Sequence, residues 1–589
     1  MKKLQTTLDK ITTLISAILC AAMMVILFAN VVLRLIPGIG GFKWYMESSQ
    51  YLNVWSMLIA CIGINAMGTN LRVEVVDSIL GKTPLGKKIV VIIRDVFIIL
   101  FYVMVTYGGY QLCTRAKQAV STMPQFTMGQ VYTIFPIAGV LCILSAVLNL
   151  IVELTAKPEG GQIQMIAWLL ISFFVLLFLG VPIAMSLGLS AMGGILFLGG
   201  GSTVTIAQRM FEGMNSFALL AIPLYTFAGF TMSKGGISKR LMDFCYSIVG
   251  HIYGGLAHVN VLSSMIFAGI SGSAVADTAG VSGMFMPEMV RKGYSKNFTV
   301  AVTAISSTIG IIIPPSIPMV VIAGICGIST GKLFLGGIIP GVLCGLAQMI
   351  VSYFMAKKEG VPKEPGHFTI GPVLHGLWES WPALLMPIII VGTITMGIVS
   401  PTEAGVIAVV YGLFAGGIIY RELKWEDIKF AFAETVRTSG RIFIVIGAAK
   451  LYTVMLTTAG FDKWVAKTML GFSTNPTVIL IMILLIFFIV TMFMESIATL
   501  TLFMPILYPI ALGVGINPIV LSVLITVVIG IGLVTPPVGM CIYVACDLMD
   551  TTVGEVFPTL VPFIAATFVC IALMVAFPQL ILLPTYLMA

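Results

Sequence analysis

The chain of 589 residues is 59% hydrophobic and 10% charged, with a formal net charge of +8 and a mean hydropathy of +1.08. Soluble domains are about 45–50% apolar and roughly 25% charged, so this composition excludes a soluble protein and predicts a polytopic membrane protein. The positive charge is spread over short loops with no long basic run to suggest nucleic acid, and the ten cysteines include no CxxC pair, so neither zinc nor a disulfide framework is indicated.

At about 20 residues per span, the chain holds roughly fourteen to sixteen membrane segments, several of them broken or re-entrant. Lys2, Lys3 and Lys10 precede an apolar run over 11–33 that is long enough to cross a bilayer and has no small-residue cleavage site, so the first helix is expected to stay. Residues 1–157 read as a small four-helix membrane unit, with helices at about 11–35, 49–67, 89–112 and 131–154. Lys2, Lys3, Lys10, Arg72, Lys82, Lys87, Lys88 and Lys157 fall on one side of it, and Arg34, Lys43, Arg115 and Lys117 on the other. The positive-inside rule therefore puts both ends of this unit, the N-terminus included, in the cytoplasm. Trp44, Tyr45 and Trp55 read as interfacial anchors and packing residues.

Residues 158–165 form a joint, because Pro158 and Gly160-Gly161 end a helix before a new apolar run begins. A large unit over 166–589 follows, with two repeats at about 166–356 and 377–589. Within it, 203–217 carries Arg209 and Glu212 on an otherwise apolar face and reads as interfacial. His251 and His258 lack the spacing for a metal or a proton relay and read as packing residues. Arg437, Arg441 and Lys450 either face a loop or headgroups, or attract an anion.

The large unit is organised around 271–316, too polar and too rich in Gly and Pro for an ordinary membrane helix although apolar sequence flanks it. Backbone groups that leave a helix at membrane depth cost several kcal/mol each unless protein or a water-filled cavity satisfies them. The pattern returns in the second repeat: Asp277 lies 10 positions before Pro287, and Glu495 lies 10 before Pro505. Pro314-Pro315 and Pro536-Pro537 follow, then Gly331 and Gly554. Broken helices in corresponding places of two repeats mark the binding site of a secondary transporter. Two re-entrant hairpins are expected at about 256–291 and 479–512.

Ser271, Gly272 and Ser273 supply hydroxyls and unwound carbonyls beside the charge of Asp277, and hard cations want oxygen ligands, so a small cation such as sodium fits. The Pro-Pro-Ser break leaves the carbonyls of about 310–313 without intrahelical donors, which adds Gly310 and Ile313. Glu495 and Thr535 are the candidates from the second repeat. Half-helix N-termini near Ser316 and Val538 suit an anionic substrate group, so Ser273, Pro315, Ser316, Pro537 and Val538 are the substrate candidates. Read singly, a Pro-Pro pair is a kink and Asp277 a helix cap; two copies in register favour a site.

Together these motifs resemble those of a known family. Ser271-Gly272-Ser273-Ala274-Val275-Ala276-Asp277, Gly293-Tyr294, Pro314-Pro315-Ser316, Gly337-Ile338-Ile339-Pro340-Gly341, Pro401-Thr402-Glu403-Ala404-Gly405 and Thr535-Pro536-Pro537-Val538-Gly539 are similar to the large membrane subunit of TRAP transporters. Residues 1–157, with Glu47, Trp55 and Gly63, resemble its small four-helix subunit, so the chain looks like a natural fusion of the two. It departs from the pattern at Asn70 and Glu74, where the small subunit usually has His and Asp, and at Met494-Glu495, where the large one usually has Met-Asp.

The resemblance implies an all-α, elevator-type inner-membrane protein with an inverted repeat, one fused chain per transport unit. It implies sodium-driven import of an organic acid received from a periplasmic substrate-binding protein, with Na+ as coupling ion and no cofactor. Sialic acid (N-acetylneuraminate) is the first-choice substrate, with four-carbon dicarboxylates and other sugar acids as alternatives. A channel would favour filter rings from several subunits, whereas this chain carries its two-fold pattern internally. No HExxH, GxSxG or Walker A pattern is present to support an enzyme or a primary pump.

Overall fold

A computed structural model describes residues 2–35, 41–67, 84–153, 165–198, 204–361 and 369–588. Asn70, Arg72, Glu74, Lys82 and the joint at 158–164 lie outside the described residues. Among those described, regular structure is helical apart from a single bridge between Ala119 and Thr127. Among the described residues nine helices are long and apolar enough to cross a membrane, or ten with one bent pair, and six shorter apolar helices of 10–17 residues accompany them. Large hydrophobics such as Val25, Phe354 and Ile388 are about two-thirds exposed (64%, 64% and 65%), as suits a lipid-facing surface.

The small unit forms α1 (Lys2–Leu35), α2 (Tyr45–Met67), α3 (Pro84–Arg115) and α4 (Ile134–Glu153). Helix α1 packs on α2, α3 on α4, and α2 on α4. Trp55 Nε1 donates to the Val131 carbonyl at 2.9 Å, so this tryptophan ties α2 to the start of the α4 region. Glu47 Oε2 accepts from the Thr122 N–H at 2.9 Å and from its hydroxyl at 2.5 Å.

The chain continues through α5 (Met165–Phe178), α6 (Ile183–Leu198), α7 (Val204–Met214), α8 (Ala221–Lys234) and α9 (Ile237–Val249). Then come α10 (Gly255–Ser271), α11 (Ala274–Arg291), α12 (Lys296–Ser307), α13 (Ile317–Cys326) and α14 (Thr330–Glu359). The second repeat supplies α15 (Ile370–Thr395), α16 (Pro401–Phe414), α17 (Trp425–Thr458), α18 (Phe461–Phe472) and α19 (Pro476–Thr491). It ends with α20 (Ser496–Gly513), α21 (Pro518–Gly532), α22 (Met540–Asp547) and α23 (Val553–Ala576).

Packing divides the chain into two compact units that do not follow sequence order. One gathers Met1–Pro223, Phe432–Phe472 and Ile497–Leu507; the other gathers Leu224–Ala431, Ser473–Ser496 and Tyr508–Ala589. In the first, α7 departs from the interfacial reading. Its apolar face, Ile206, Ala207, Met210, Phe211 and Met214, is buried in protein, with Phe211 against Tyr51, Tyr132 and Phe135. An amphipathic pattern specifies that a face is covered; it does not say by what. Arg437 also has a partner that its sequence position did not reveal. Its guanidinium pairs with Asp9 and Glu434, each at 2.9 Å, so it is not held in reserve for a mobile anion.

In the second unit the α10–α11 hairpin is packed against α12 and α14. Fourteen of the seventeen residues of α10 are buried, His258 among them, with Nε2 3.1 Å from the Tyr253 carbonyl. The shape of the hairpin follows from its sequence: Gly272 adopts φ 65°, which glycine reaches without strain, and Ser273 restarts the chain as the N-cap of α11.

Candidate functional site

The first hairpin turns over two residues. Ser273 Oγ accepts from the Ala276 N–H at 3.4 Å, and the Gly272 carbonyl accepts from the Ile317 N–H at 3.2 Å. That second bond clasps the hairpin tip to the Pro-Pro break. Gly272 is required there for space as well as for φ, because a Cβ would lie 2.6 Å from the Pro315 carbonyl oxygen. Asp277, in the first turn of α11, is fully buried. The Ser271 hydroxyl donates to its Oδ1, while Oδ2 has no hydrogen-bond partner. A Cβ at Gly310 would run into that Oδ2, so the carboxylate lies against bare backbone at the break.

The break runs from a 3-10 turn over Thr308–Ile311, through a cis Pro314–Pro315 bond, to Ser316, the N-cap of α13. The Ser316 hydroxyl donates to the Ile311 carbonyl at 2.5 Å and accepts from the Met319 N–H at 3.3 Å. Of the carbonyls over 310–313, Ile311 is thus taken by a side chain the sequence had offered for substrate. One residue bridges both sides of the break.

The second repeat reproduces the clasp. Pro536–Pro537 is also cis, and the Val538 N–H donates to the Met492 carbonyl in the second hairpin turn at 3.0 Å. The Thr535 hydroxyl donates to the Ile531 carbonyl at 2.7 Å, and Gly539 (φ 36°) precedes α22. The acids, however, are not equivalent. Asp277 is the fourth residue of α11, whereas Glu495 directly precedes α20, so the matched 10-residue spacing to the prolines conceals a shift of about one helical turn in where each helix starts. The fourth residue of α20 is Thr499, and Glu495 is only half-buried.

A polar cluster that the sequence reading passed over supports the first hairpin from behind. Asn260 Nδ2 donates to Thr303 Oγ1 at 2.7 Å, Ser306 Oγ donates to Asn260 Oδ1 at 3.1 Å, and Ser264 Oγ donates to Ser306 Oγ at 3.1 Å. All four side chains are buried, and they join α10 to α12. The available signal was spacing: Asn260 and Ser264 stand four apart on one apolar helix, and Thr303 and Ser306 three apart on another.

The arrangement can hold a small hard cation among oxygens: one carboxylate oxygen with its bonding capacity unspent, the hydroxyls of Ser271 and Ser273, and carbonyls at the hairpin tip and the break. Among the described residues no three His, Cys, Asp or Glu side chains cluster as a metal site. Two half-helix N-termini, at Ser316 and Gly539, face the breaks and present the partial positive charge that anions seek.

Re-entrant hairpins clasped to broken helices, in a chain of many apolar helices, define a multi-pass membrane carrier of the repeat-built kind. Residues 23–156 match the family model for the tripartite ATP-independent periplasmic transporters, DctQ component, and residues 170–580 match that for the DctM component. The chain belongs to the TRAP transporters, as a fused permease that carries both membrane components. It is 37% identical over 393 residues to the isethionate TRAP transporter permease protein DctMQ of Oleidesulfovibrio alaskensis, a match spanning 67% of this chain and 62% of that relative. It is 35% identical over 408 residues to the sialic acid TRAP transporter large permease protein SiaM of Vibrio cholerae serotype O1, covering 69% of this chain and 95% of that one. It is likewise 35% identical over 403 residues to the C4-dicarboxylate TRAP transporter large permease protein DctM of Pseudomonas aeruginosa, covering 68% and 94%. The family is one of permeases that work with a periplasmic binding protein; it is not a family of enzymes.

Proposed function

We propose that this chain is a sodium-coupled importer of an organic acid in the bacterial inner membrane, with its N-terminus in the cytoplasm. It accepts its substrate from a periplasmic binding protein and moves it by an elevator shift of its transport unit, without a cofactor. The observation that carries the reading is Asp277: a fully buried carboxylate with one oxygen unpartnered against the backbone of a broken helix. A buried charge of that kind is costly until a counter-charge joins it, so sodium entry is favourable here and completes the site.

Ser271, Gly272, Ser273, Gly310 and Ile313 complete the sodium ligand set around Asp277, and Glu495 and Thr535 serve the second repeat. The substrate carboxylate is held near Ser273, Pro315, Ser316, Pro537 and Val538, where the half-helix N-termini favour negative charge. Sialic acid is the first-choice substrate; the differing substrates in the relatives' names keep four-carbon dicarboxylates and other sugar acids as alternatives. Outward charges at Lys43, Arg115 and Lys117 steer an acidic docking surface of the binding protein.

Uptake into proteoliposomes tests the whole reading. Uptake is expected only with an inward sodium gradient and a cognate binding protein, and to stop when choline replaces sodium at equal ionic strength. Sodium-independent uptake would overturn the coupling, and rapid uptake of free acid without a binding protein would overturn the delivery route.

A further inference from the structure

We infer that the Asp9–Arg437 ion pair is the register key that fixes the small four-helix segment on the long helix α17, and that the peptide joining the two segments is not what holds them together. The two segments match separate family models, yet the first compact unit contains parts of both. Its packing shows a built interface. At one end of α2, Tyr45 meets Phe217 and Tyr51 meets Phe211. Toward the other end, the Cys61 thiol donates to the Gly440 carbonyl at 3.6 Å, and a Cβ on Gly440 would lie 3.2 Å from Ile64. From Tyr45 to Ile64 is about 28 Å of helix, close to the roughly 30 Å thickness of a bilayer core.

Apolar contacts over that length give adhesion but little register, since a helical stripe repeats nearly the same face every turn and lipid competes for it equally well. The polar key removes the ambiguity. Gly63 lets α1 lie so close that a Cβ would come 2.7 Å from Thr12 Oγ1 and 2.8 Å from Asp9 Oδ1. The Asp9 carboxylate is thereby presented, with its side chain only 10% exposed, to the Arg437 guanidinium at 2.9 Å. Glu434, one turn back on α17, holds the same guanidinium at 2.9 Å and fixes its direction. A slip by one turn would leave the largely buried Asp9 carboxylate without its counter-charge, which is the kind of specificity a partly buried ion pair supplies.

The test uses the full chain with a protease site inserted between Gly160 and Gly161, cut after folding and extraction. The fragments of the unmodified pair are expected to co-elute and, reconstituted, to sustain uptake. R437E is expected to lower the co-eluting fraction by about tenfold, because the largely buried Asp9 carboxylate is then left opposed rather than paired. The exchange D9R/R437E is expected to restore it, while R209E, at the exposed Arg209–Glu212 pair, changes nothing. Separation of the unmodified fragments would overturn the inference. So would undiminished co-elution of R437E, or failure of the exchanged pair to recover association.

Discussion

The two hairpins share one clasp and differ in where their acid stands. In both repeats a backbone N–H just past the Pro-Pro pair, on Ile317 or Val538, donates to a carbonyl at the hairpin tip, on Gly272 or Met492. In the first, the acid sits inside the helix, fully buried, with one oxygen unpartnered; in the second it stands ahead of the helix and is half-buried. The first hairpin also lies wholly within one compact unit, whereas the chain leaves that unit between Ser496 and Ile497 and rejoins it at Tyr508. The lesson is that repeats preserve the mechanical element, a backbone clasp that any sequence can make, while the electrostatic element is free to drift. A carboxylate in a dry site is a far stronger cation ligand than one at a wetter edge.

That contrast is most easily broken at Asp277. Asp277→Ala is expected to abolish sodium-dependent uptake while leaving the protein monodisperse, since an uncompensated buried charge is removed rather than created; uptake near the unmodified rate would reduce Asp277 to a helix cap. Next in size, Gly310→Ala places a methyl group on the Asp277 oxygen, and overpacking of about 1–3 kcal/mol corresponds to a rise of roughly tenfold or more in the sodium concentration for half-maximal uptake. Gly530→Ala, where the nearest atom is Thr308 Cβ at 3.4 Å, is the matched control and is expected to leave that concentration unchanged. Glu495→Gln is expected to raise it by only about threefold, as befits a partly exposed charge; complete loss would show the two acids to be equals after all. Smallest are the hydroxyls at the breaks. Ser316→Ala removes an N-cap and the link to Ile311 and is expected to lower stability by about 1–2 kcal/mol. Thr535→Ala removes one bond, from the turn after α21 back to the Ile531 carbonyl, and is expected to cost about 0.5 kcal/mol. Thermal unfolding in detergent ranks the two, and the reverse order would show that the breaks are not built alike.

Much of this architecture could be read before any coordinates. The hairpins expected at about 256–291 and 479–512 are observed as Gly255–Arg291 and Pro476–Gly513, because Gly, Pro and Ser at membrane depth leave an unmistakable gap in apolar sequence. The four N-terminal helices were equally legible from their lengths. The clasps were not, since backbone hydrogen bonds carry no side-chain signature, and neither was the partner of Arg437, which lies 428 residues away in the chain. The Asp277–Glu495 correspondence shows the reverse fault: equal spacing to a proline counts residues, while equivalence of role depends on where the helix begins.

Gly310 sets a limit on how this protein can change. With no room for a single carbon atom beside the Asp277 oxygen, the position is closed to every other amino acid as long as that carboxylate keeps its place. Lengthening the acid by one methylene would press on the same backbone from the other side. Neither partner therefore varies alone without cost, and one-step mutational routes through the first hairpin pass through an intermediate with weakened cation affinity. In the second hairpin Gly532 stands four residues before its Pro-Pro pair, as Gly310 does before the first, and a Cβ there would run into Thr491 Oγ1, so the same steric constraint recurs against a hydroxyl instead of a carboxylate.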